Sequence, residues 1–181
     1  MLEVEMKFTE VDFDRLEKQL TEGGAKKGGE RDERDQYFNA PDRDFAQTDE
    51  ALRLRRIGDA NFVTYKGPKQ DPQTKTRTEI EVPLGAGQRI AEDFARLLQH
   101  LGYRPVALVR KHRRLFHLQR EGCAVEVSLD EVEGLGRFAE LEIQAPEEKL
   151  NEARSVLLDL AQSLGLSKQE RRSYLELLLT K

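Results

Sequence analysis

The sequence predicts an α+β fold in which about eight antiparallel strands close a barrel, with helices flanking its outer surface. Three observations predict this fold. Short segments of alternating polar and apolar residues recur along the chain, amphipathic helical segments lie between them, and the polar strand positions are almost wholly ionic. The chain has 181 residues, and we expect residues 1–181 to form a single domain.

The composition narrows the functional classes. Hydrophobic residues make up 38% of the chain and charged residues 35%, and 34 acidic residues nearly balance 30 basic ones. A protein that binds nucleic acid polymers would usually be basic, so that class is disfavoured. The single cysteine, Cys123, excludes an internal disulfide, and no segment has the pattern of a leader or a membrane span. We therefore expect a cytoplasmic protein that binds neither nucleic acid polymers nor membranes.

The first strand carries the clearest pattern. Because successive strand residues point to opposite faces, Met1–Lys7 places Glu3, Glu5 and Lys7 on one face and apolar residues on the other. Two carboxylates and an ammonium side by side are suited to holding a metal ion next to a negatively charged oxygen.

Seven further strands are predicted from alternation and from the turn residues at their ends. The charged stretch Lys26–Asp35 and the segment Asn39–Asp49 are interpreted as loops. Lys69–Lys75 is interpreted as a polar loop that either closes over a substrate or is simply solvated. The predicted strands are Gln36–Phe38, Ala51–Ile57, Asn61–Lys66, Thr76–Val82, Ala107–Gln119, Cys123–Leu129 and Arg137–Ile143.

Apolar residues at helical spacing predict four helices. Asp12 can cap the first, Gly23-Gly24 ends it, and Gly102 and Gly165 end the second and third. The apolar positions that define the helices are Phe13, Leu16 and Leu20; Ile90, Phe94, Leu97, Leu98 and Leu101; Leu150, Ala153, Leu157, Leu160 and Leu164; and Tyr174 and Leu178.

The polar faces of the predicted strands are charged rather than merely hydrophilic. On a single strand such a face is usually just solvated, because antiparallel sheets often have one wet side. The pattern recurs on seven strands with little use of Thr, Ser, Gln or Asn, which favours a functional explanation. Beyond the first strand, the charged positions are Arg53 and Arg55; Lys66; Arg77, Glu79 and Glu81; Lys111 and Arg113; Glu126 and Asp130; and Glu140 and Glu142.

The amphipathic helices indicate where these charges lie. Each helix must bury its apolar stripe, and the apolar face of the sheet is the natural partner. The charged face then becomes the inside of the barrel, where charges are costly unless they pair or bind ions. A polyphosphate with a divalent cation accounts for both signs, because Arg and Lys bind phosphate oxygens while Mg²⁺ or Mn²⁺ prefers carboxylates. Glutamates without His or Cys partners argue against zinc.

Several motifs occur in an order that resembles a known family. Glu3-Val4-Glu5-Met6-Lys7 has the form ExExK, which is weak alone but gains specificity from the motifs that follow it. These motifs are Asp35–Asp42, Ala51–Arg56, Thr64–Pro68, Arg77–Glu81, Val109–Arg114, Val127–Gly136 with Phe138–Glu142, and Arg172–Leu178. Together they resemble the CYTH domain, the triphosphate tunnel metalloenzymes, over essentially the whole chain. The YKGP, VEGLG and RSYLELL segments look most like the class IV adenylyl cyclase branch.

The resemblance implies an eight-stranded barrel whose tunnel binds a triphosphate together with Mg²⁺ or Mn²⁺. It implies that the metal ligands are Glu3, Glu5, Glu140 and Glu142, with Glu79, Glu81 and Asp130 as supporting carboxylates. The phosphate-binding residues would be Arg53, Arg55, Lys66, Arg77, Lys111 and Arg113, with Lys7 among them or as the catalytic residue. One of Lys168, Arg171 and Arg172 would add a further cation. Asn39 replaces an Asp that is common in the family, which we expect to affect turn geometry, and a homodimer is reasonable.

Two reactions fit such a site. The resemblance favours a class IV adenylyl cyclase, which converts ATP to 3′,5′-cyclic AMP and pyrophosphate, and the alternatives are inorganic tripolyphosphatase and thiamine triphosphatase. Lys7 is a candidate general base, because neighbouring cations could lower its pKa. A non-catalytic polyphosphate sensor and a scaffold whose charges pair internally are the alternatives of another class. Carboxylate pairs on two strands argue against a pure anion binder.

Overall fold

The computed structural model describes residues 2–69 and 76–181, and eight antiparallel strands in this part of the chain form one sheet with helices on its outer side. The strands are β1 (Leu2–Thr9), β2 (Lys26–Asn39), β3 (Ala51–Ile57), β4 (Ala60–Lys66), β5 (Glu79–Leu84), β6 (Arg104–Arg120), β7 (Cys123–Val132) and β8 (Gly136–Ala145). The helices are α1 (Phe13–Glu22), α2 (Phe45–Thr48), α3 (Gln88–His100), α4 (Leu150–Ser163) and α5 (Tyr174–Leu179), and Glu147–Lys149 forms a 3₁₀ turn.

The order of the strands in the sheet is β1-β8-β7-β6-β2-β3-β4-β5. The sheet curls into a half-barrel, and an isolated antiparallel bridge between Glu3 on β1 and Arg77, just before β5, brings its two edges together. The predicted α+β fold with eight antiparallel strands is therefore confirmed. Among the described residues, no helix has the length and apolar character needed to cross a membrane.

The apolar core lies on the outer, convex side of the sheet. Val4 and Leu141 are fully buried there beneath Leu157 of α4, and α1 packs into the same cluster. A second cluster joins Phe38 and Leu54 to Leu98 of α3. Because the helices cover the apolar face, the charged positions of β1, β3 and β6 face the concave side, as the sequence predicts: Glu3, Glu5 and Lys7; Arg53 and Arg55; and Lys111 and Arg113. On β2, the odd-numbered residues Asp35 and Tyr37 face the same side.

The prediction that Lys26–Asp35 is a loop is wrong. These residues form most of β2, which pairs with β6 along its whole length and with β3 from Glu33 onward. A run of charges suggests solvent, but here Glu33 and Asp35 are buried against Arg55, and Glu33 also contacts Lys111. Partner strands, rather than apolar alternation, therefore stabilise this strand.

The loop predicted between β2 and β3 contains the short helix α2. Asn39 organises its entry, because its side-chain oxygen accepts hydrogen bonds from the backbone N–H groups of Ala40 (3.0 Å) and Phe45 (2.8 Å). Its amide also donates to Asp44 at 3.0 Å, and Asp44 caps α2. Asn39 thus stabilises the geometry of the turn that precedes α2.

The C-terminal segment returns to the first strand before α5 begins. The backbone N–H of Thr9 donates to the carbonyl of Lys168 (2.9 Å), and that of Glu170 donates to the carbonyl of Lys7 (2.8 Å). Ser173 and Glu176 then form a capping box that starts α5. This pairing brings Tyr174, the first residue of α5, to the concave side beside β1.

Candidate functional site

The concave side of the sheet encloses a cavity of about 480 Å³. Of the fourteen site residues predicted from the sequence, thirteen line it: Glu3, Glu5, Lys7, Arg53, Arg55, Lys66, Arg77, Glu79, Glu81, Lys111, Arg113, Glu140 and Glu142. Asp130 is fully buried behind this wall, where it contacts Arg113. The fold thus brings the predicted set together, although the role of each residue stays a prediction.

Five cations form one wall of the cavity, which we call the basic bank: Arg53 and Arg55 on β3, Lys66 on β4, and Lys111 and Arg113 on β6. Arg55 binds Asp35 through two hydrogen bonds of 2.7 and 2.6 Å, and Arg113 binds Asp130 through two of 2.7 and 2.5 Å. Such fork-shaped pairs fix both the position and the orientation of a guanidinium group. The two arginines are therefore held in place by the protein itself.

Sequence reasoning missed two carboxylates of this wall, Glu33 and Asp35 on β2. Burial opposes the ionisation of Asp35, but Arg53 and Arg55 outweigh it and lower its pKa to about 2. Burial also opposes ionisation of Glu33, yet the cations around it, with Lys111 foremost, hold its pKa well below the usual range. A signal was present, because Glu33 and Asp35 alternate in phase with Tyr37 of the predicted strand, but the loop interpretation concealed it.

Lys66 and Glu3 connect the basic bank to the first strand. The ammonium of Lys66 lies 2.6 Å from Glu79 and 3.2 Å from Glu3. Burial raises the pKa of Glu3 despite the nearby Lys66 charge, and a side-chain hydrogen bond with Glu79 acts in the same direction. This hydrogen bond and the Lys66 ammonium outweigh burial and lower the pKa of Glu79 to about 2.

Four carboxylates form the facing wall, which we call the acidic bank: Glu3 and Glu5 on β1 with Glu140 and Glu142 on β8. Glu5 and Glu142 are direct partners in the strand register. Burial and then the charges of Glu3 and Glu5 raise the pKa of Glu142 from 4.5 to about 8, although Gln144 donates a hydrogen bond of 2.7 Å to it. The acidic bank therefore carries more negative charge than its surroundings neutralise.

The acidic bank has the chemistry of a site for a hard divalent cation. Its donors are oxygen atoms only, and the raised pKa of Glu142 shows that added positive charge would be favourable. As the side chains lie, no three His, Cys, Asp or Glu residues within 2–69 and 76–181 are grouped to hold a metal ion. One reason is that Glu140 turns to Arg113 (2.5 Å) and Glu3 to Lys66.

Lys7 lies between the banks and contacts an aromatic residue that sequence reasoning did not assign to the site. Its ammonium is 4.2 Å from the ring centre of Tyr174, and only 1% of Lys7 is exposed. The hydroxyl of Tyr174 donates a hydrogen bond of 2.8 Å to Asp130. Tyr174 belongs to the RSYLELL motif, but helical periodicity marked it only as a packing residue.

The mouth of the cavity combines apolar and charged groups. Phe45, Val106, Leu175 and Leu179 line it, on α2, β6 and α5. Lys69 also lines it, with its ammonium 2.7 Å from Asp49, while Lys75 lies outside the described residues.

The three C-terminal basic residues do not enter the cavity, contrary to the expectation that one of them would. Lys168, Arg171 and Arg172 are exposed and absent from its lining. Lys168 contacts Glu10, and Arg172 contacts Glu170 at 2.6 Å. The strand pairing of this segment directs Tyr174 inward instead.

Cations and carboxylates thus line one cavity on the concave side of a curled antiparallel sheet. A family model for the CYTH domain matches residues 1–174, and the chain belongs to the CYTH domain family. It is 40% identical over 182 residues to a protein of Methanocaldococcus jannaschii provisionally named an adenylate cyclase, with 98% of each chain covered. It is 33% identical to adenylate cyclase CyaB of Aeromonas hydrophila, over 78% of this chain and 70% of CyaB.

Solved structures show the same fold. The PH1819 protein of Pyrococcus horikoshii superposes with a TM-score of 0.86 at 39% identity, with 98% of each chain covered. A more distant fold relative, HpAC1 of Hippeastrum, has a TM-score of 0.69 at 15% identity over 99% of this chain and 95% of its own. HpAC1 is described as an adenylyl cyclase candidate with a dominant triphosphatase activity.

Proposed function

We propose that this protein is a metal-dependent enzyme that acts on a triphosphate bound in the tunnel. Members of the CYTH family generally act on triphosphates and use divalent metals. The observation that carries the proposal is that the basic bank and the acidic bank line one cavity. The first candidate reaction is that of a class IV adenylyl cyclase, which forms 3′,5′-cyclic AMP and pyrophosphate from ATP.

The basic bank is suited to bind the phosphate chain. Arg55 and Arg113 are already oriented by Asp35 and Asp130, so little side-chain freedom is lost when they bind phosphate oxygens. Arg113 and Lys66 also contact Glu140 and Glu3 of the acidic bank. A phosphate chain that takes over these two cations releases the two carboxylates.

The released carboxylates would then hold Mg²⁺ or Mn²⁺. The residues that would hold it are Glu3, Glu5, Glu140 and Glu142, and Glu79, Glu81 and Asp130 would support the surrounding charge. When bound, the metal supplies positive charge beside the reacting phosphoryl group and polarises its oxygens. The arginines and lysines of the basic bank stabilise the negative charge of the leaving pyrophosphate or phosphate.

Lys7 is the candidate for moving the proton of the attacking hydroxyl. It lies between the banks, and its register partner on β8 is Glu140. In a cyclase it would act on the ribose 3′-hydroxyl, and in a triphosphatase on a water molecule. We expect Lys7→Met to lower kcat by about 100-fold or more while leaving metal-free tripolyphosphate binding intact. Full turnover in this variant would exclude Lys7 as the general base.

The mouth of the tunnel favours a substrate with an organic group. Phe45, Val106, Leu175 and Leu179 offer apolar contacts beyond the charged walls, and a bare tripolyphosphate has no group to use them. This observation ranks ATP first and thiamine triphosphate second, with inorganic tripolyphosphate as the alternative that needs only the charged walls.

Product analysis tests the proposed reaction. The protein is incubated with Mg²⁺ or Mn²⁺ and with ATP, thiamine triphosphate or tripolyphosphate, and the products are separated by anion-exchange chromatography. Cyclic AMP with pyrophosphate establishes a cyclase, and orthophosphate without cyclic nucleotide establishes a triphosphatase. Absence of any metal-dependent product with all three substrates contradicts the enzymatic proposal.

Thermal shift separates the remaining alternatives. A sensor would be stabilised by tripolyphosphate with or without EDTA and would form no product. A scaffold of internal ion pairs would show no shift, whereas the cavity between the banks leads us to expect one. Light scattering on the same sample measures whether the protein is the homodimer that we expect.

A further inference from the structure

Tyr174 contacts Lys7, Lys111 and Asp130 with two different parts of its side chain. The ring faces two ammonium groups, that of Lys7 at 4.2 Å and that of Lys111 at 5.2 Å from the ring centre. A cation within about 6 Å of an aromatic face is attracted to it, more strongly where water is excluded. Tyr174 is only 6% exposed, so the ring restrains both ammonium groups in a dry environment.

The hydroxyl of Tyr174 acts on a different set of residues. It donates to Asp130 at 2.8 Å, and Asp130 in turn holds Arg113 through two hydrogen bonds and lies 3.5 Å from Lys111. Burial and the nearby carboxylates of Glu140 and Asp130 raise the pKa of Tyr174 well above its usual range. The hydroxyl therefore stays protonated and remains a donor.

The backbone fixes this ring relative to the first strand. Glu170, four residues earlier, donates its N–H to the carbonyl of Lys7, and the capping box at Ser173 starts the helix at Tyr174. The ring also packs against Phe138 in a T-shaped arrangement, with 5.0 Å between ring centres. The position of the ring is thus tied to the backbone of the residue whose ammonium it contacts.

We propose that Tyr174 is a positioning residue with two separable effects: its ring fixes the ammonium of Lys7, and its hydroxyl fixes Arg113 through Asp130. This inference rests on the proposed function of the tunnel. It assigns the ring to the chemical step, because Lys7 is the candidate base. It assigns the hydroxyl to substrate binding, because Arg113 belongs to the basic bank.

Two substitutions separate the effects. Tyr174→Phe keeps the ring and removes the hydroxyl, so KM for the triphosphate rises about 3- to 10-fold while kcat stays within about twofold. Tyr174→Leu removes both, so KM rises similarly and kcat falls by about 10- to 100-fold. Tyr103→Leu is the control. It removes the same kind of ring, but Tyr103 packs against the cluster of Phe38, Leu54 and Leu98 and does not line the cavity.

A second readout does not depend on turnover. In protein labelled with ¹³C-lysine, the methylene protons beside the Lys7 ammonium should show an upfield ring-current shift. The shift should persist in Tyr174→Phe and disappear in Tyr174→Leu, with Tyr103→Leu unchanged. Circular dichroism melting confirms that each variant is folded at the assay temperature.

The outcomes distinguish this inference from the proposed function. If wild-type protein turns over no triphosphate, the proposed function fails, and the lysine spectrum alone still decides whether the ring fixes Lys7. If wild-type protein is active but Tyr174→Phe and Tyr174→Leu have the same kcat and the same spectrum, the inference is overturned. It is equally overturned if Tyr103→Leu reproduces the kinetic loss of Tyr174→Leu, because the effect would then be structural.

Discussion

The two banks of the tunnel differ in how their charges are balanced. Every cation of the basic bank lies within 4.0 Å of a carboxylate, and the pKa values of Asp35 and Glu79 are lowered to about 2. On the acidic bank, burial and like charges raise the pKa of Glu142 to about 8. The cations of the basic bank are therefore paired without a ligand, whereas Glu142 of the acidic bank lies in an excess of negative charge.

This difference means that the same chemical change should have opposite effects on the two walls. Removing a charge from the basic bank leaves a buried partner unpaired, which destabilises the fold. Removing the charge of Glu142 relieves its repulsion with Glu3 and Glu5, which should stabilise the metal-free fold, and under the proposed function it also removes a metal ligand. Four predictions test this contrast, beginning with the largest expected effect, and a fifth tests the turn at the mouth.

Arg113→Met should destabilise the protein by about 3–5 kcal/mol, because Asp130 and Glu140 lose their shared partner in a buried site. Chemical denaturation monitored by circular dichroism measures the free energy of unfolding. Arg110→Met is the matched control, since Arg110 lies on the same strand but pairs with Glu133 in solvent at 3.4 Å. The control should lose less than about 0.5 kcal/mol. Equal losses in the two variants would show that Arg113 is not buried within an ion-pair network.

Glu142→Gln should lower metal-dependent turnover by about 100-fold or more, because the metal loses an anionic ligand. Tripolyphosphate binding in EDTA, measured by calorimetry, should stay within about threefold, since the basic bank is untouched. Glu152→Gln on the exposed side of α4 serves as the control for loss of one negative charge. Wild-type turnover in Glu142→Gln would remove Glu142 from the metal site.

The pH dependence of stability should reveal the proton on Glu142. Its pKa rises from 4.5 in the unfolded chain to about 8 in the folded protein, so the folded state binds more protons between these values. Stability of the metal-free protein should therefore fall as pH rises from about 5 to 8, by about 1–2 kcal/mol after allowance for partial exposure. Glu142→Gln should lack this decline. Melting in EDTA at several pH values measures it, and parallel curves for the two proteins would contradict the assignment.

The affinity of the wild-type protein for metal should depend on whether Glu142 is protonated. Under the proposed function Glu142 binds the metal as a carboxylate, so Mg²⁺ or Mn²⁺ should bind about 10- to 50-fold more tightly at pH 8 than at pH 6 in the presence of tripolyphosphate. Calorimetry in two buffers of different ionisation enthalpy should detect the released proton. Affinity that is independent of pH would place the metal away from Glu142.

The smallest effect is expected at the mouth. Asn39→Asp should cost about 0.5–1 kcal/mol, because the new carboxylate cannot donate to Asp44 and repels it, while its bonds to the N–H groups of Ala40 and Phe45 can remain. Thermal melting at pH 7 measures the loss. An unchanged melting temperature would show that the turn does not depend on the amide.

The parts that were predictable from the sequence are those governed by periodicity. Alternation along β1 assigned Glu3, Glu5 and Lys7 to one face, and helical spacing located α1 after its cap Asp12. Alternation does not give the register between strands, so it could not show that Glu5 faces Glu142 or that Arg55 binds Asp35. Those pairs are set by which strands become neighbours.

Two misses have the same physical origin. Glu33 was hidden in a charge run that resembles a solvated loop, and Tyr174 was hidden in a short helix where an aromatic residue usually packs. In both cases the surroundings that give the residue its role come from distant parts of the chain. Local propensity is therefore uninformative at these positions, because tertiary contacts override it.

The pairing of the segment Lys168–Glu170 with β1 has a consequence for synthesis of the protein. The first strand leaves the ribosome long before its neighbours β8 and Tyr174 are translated. A nascent chain must therefore keep the charged strand β1 in solution until almost all of its sequence has emerged. The charged face formed by Glu3, Glu5 and Lys7 helps to keep this unpaired strand in solution, because it disfavours premature pairing with other strands.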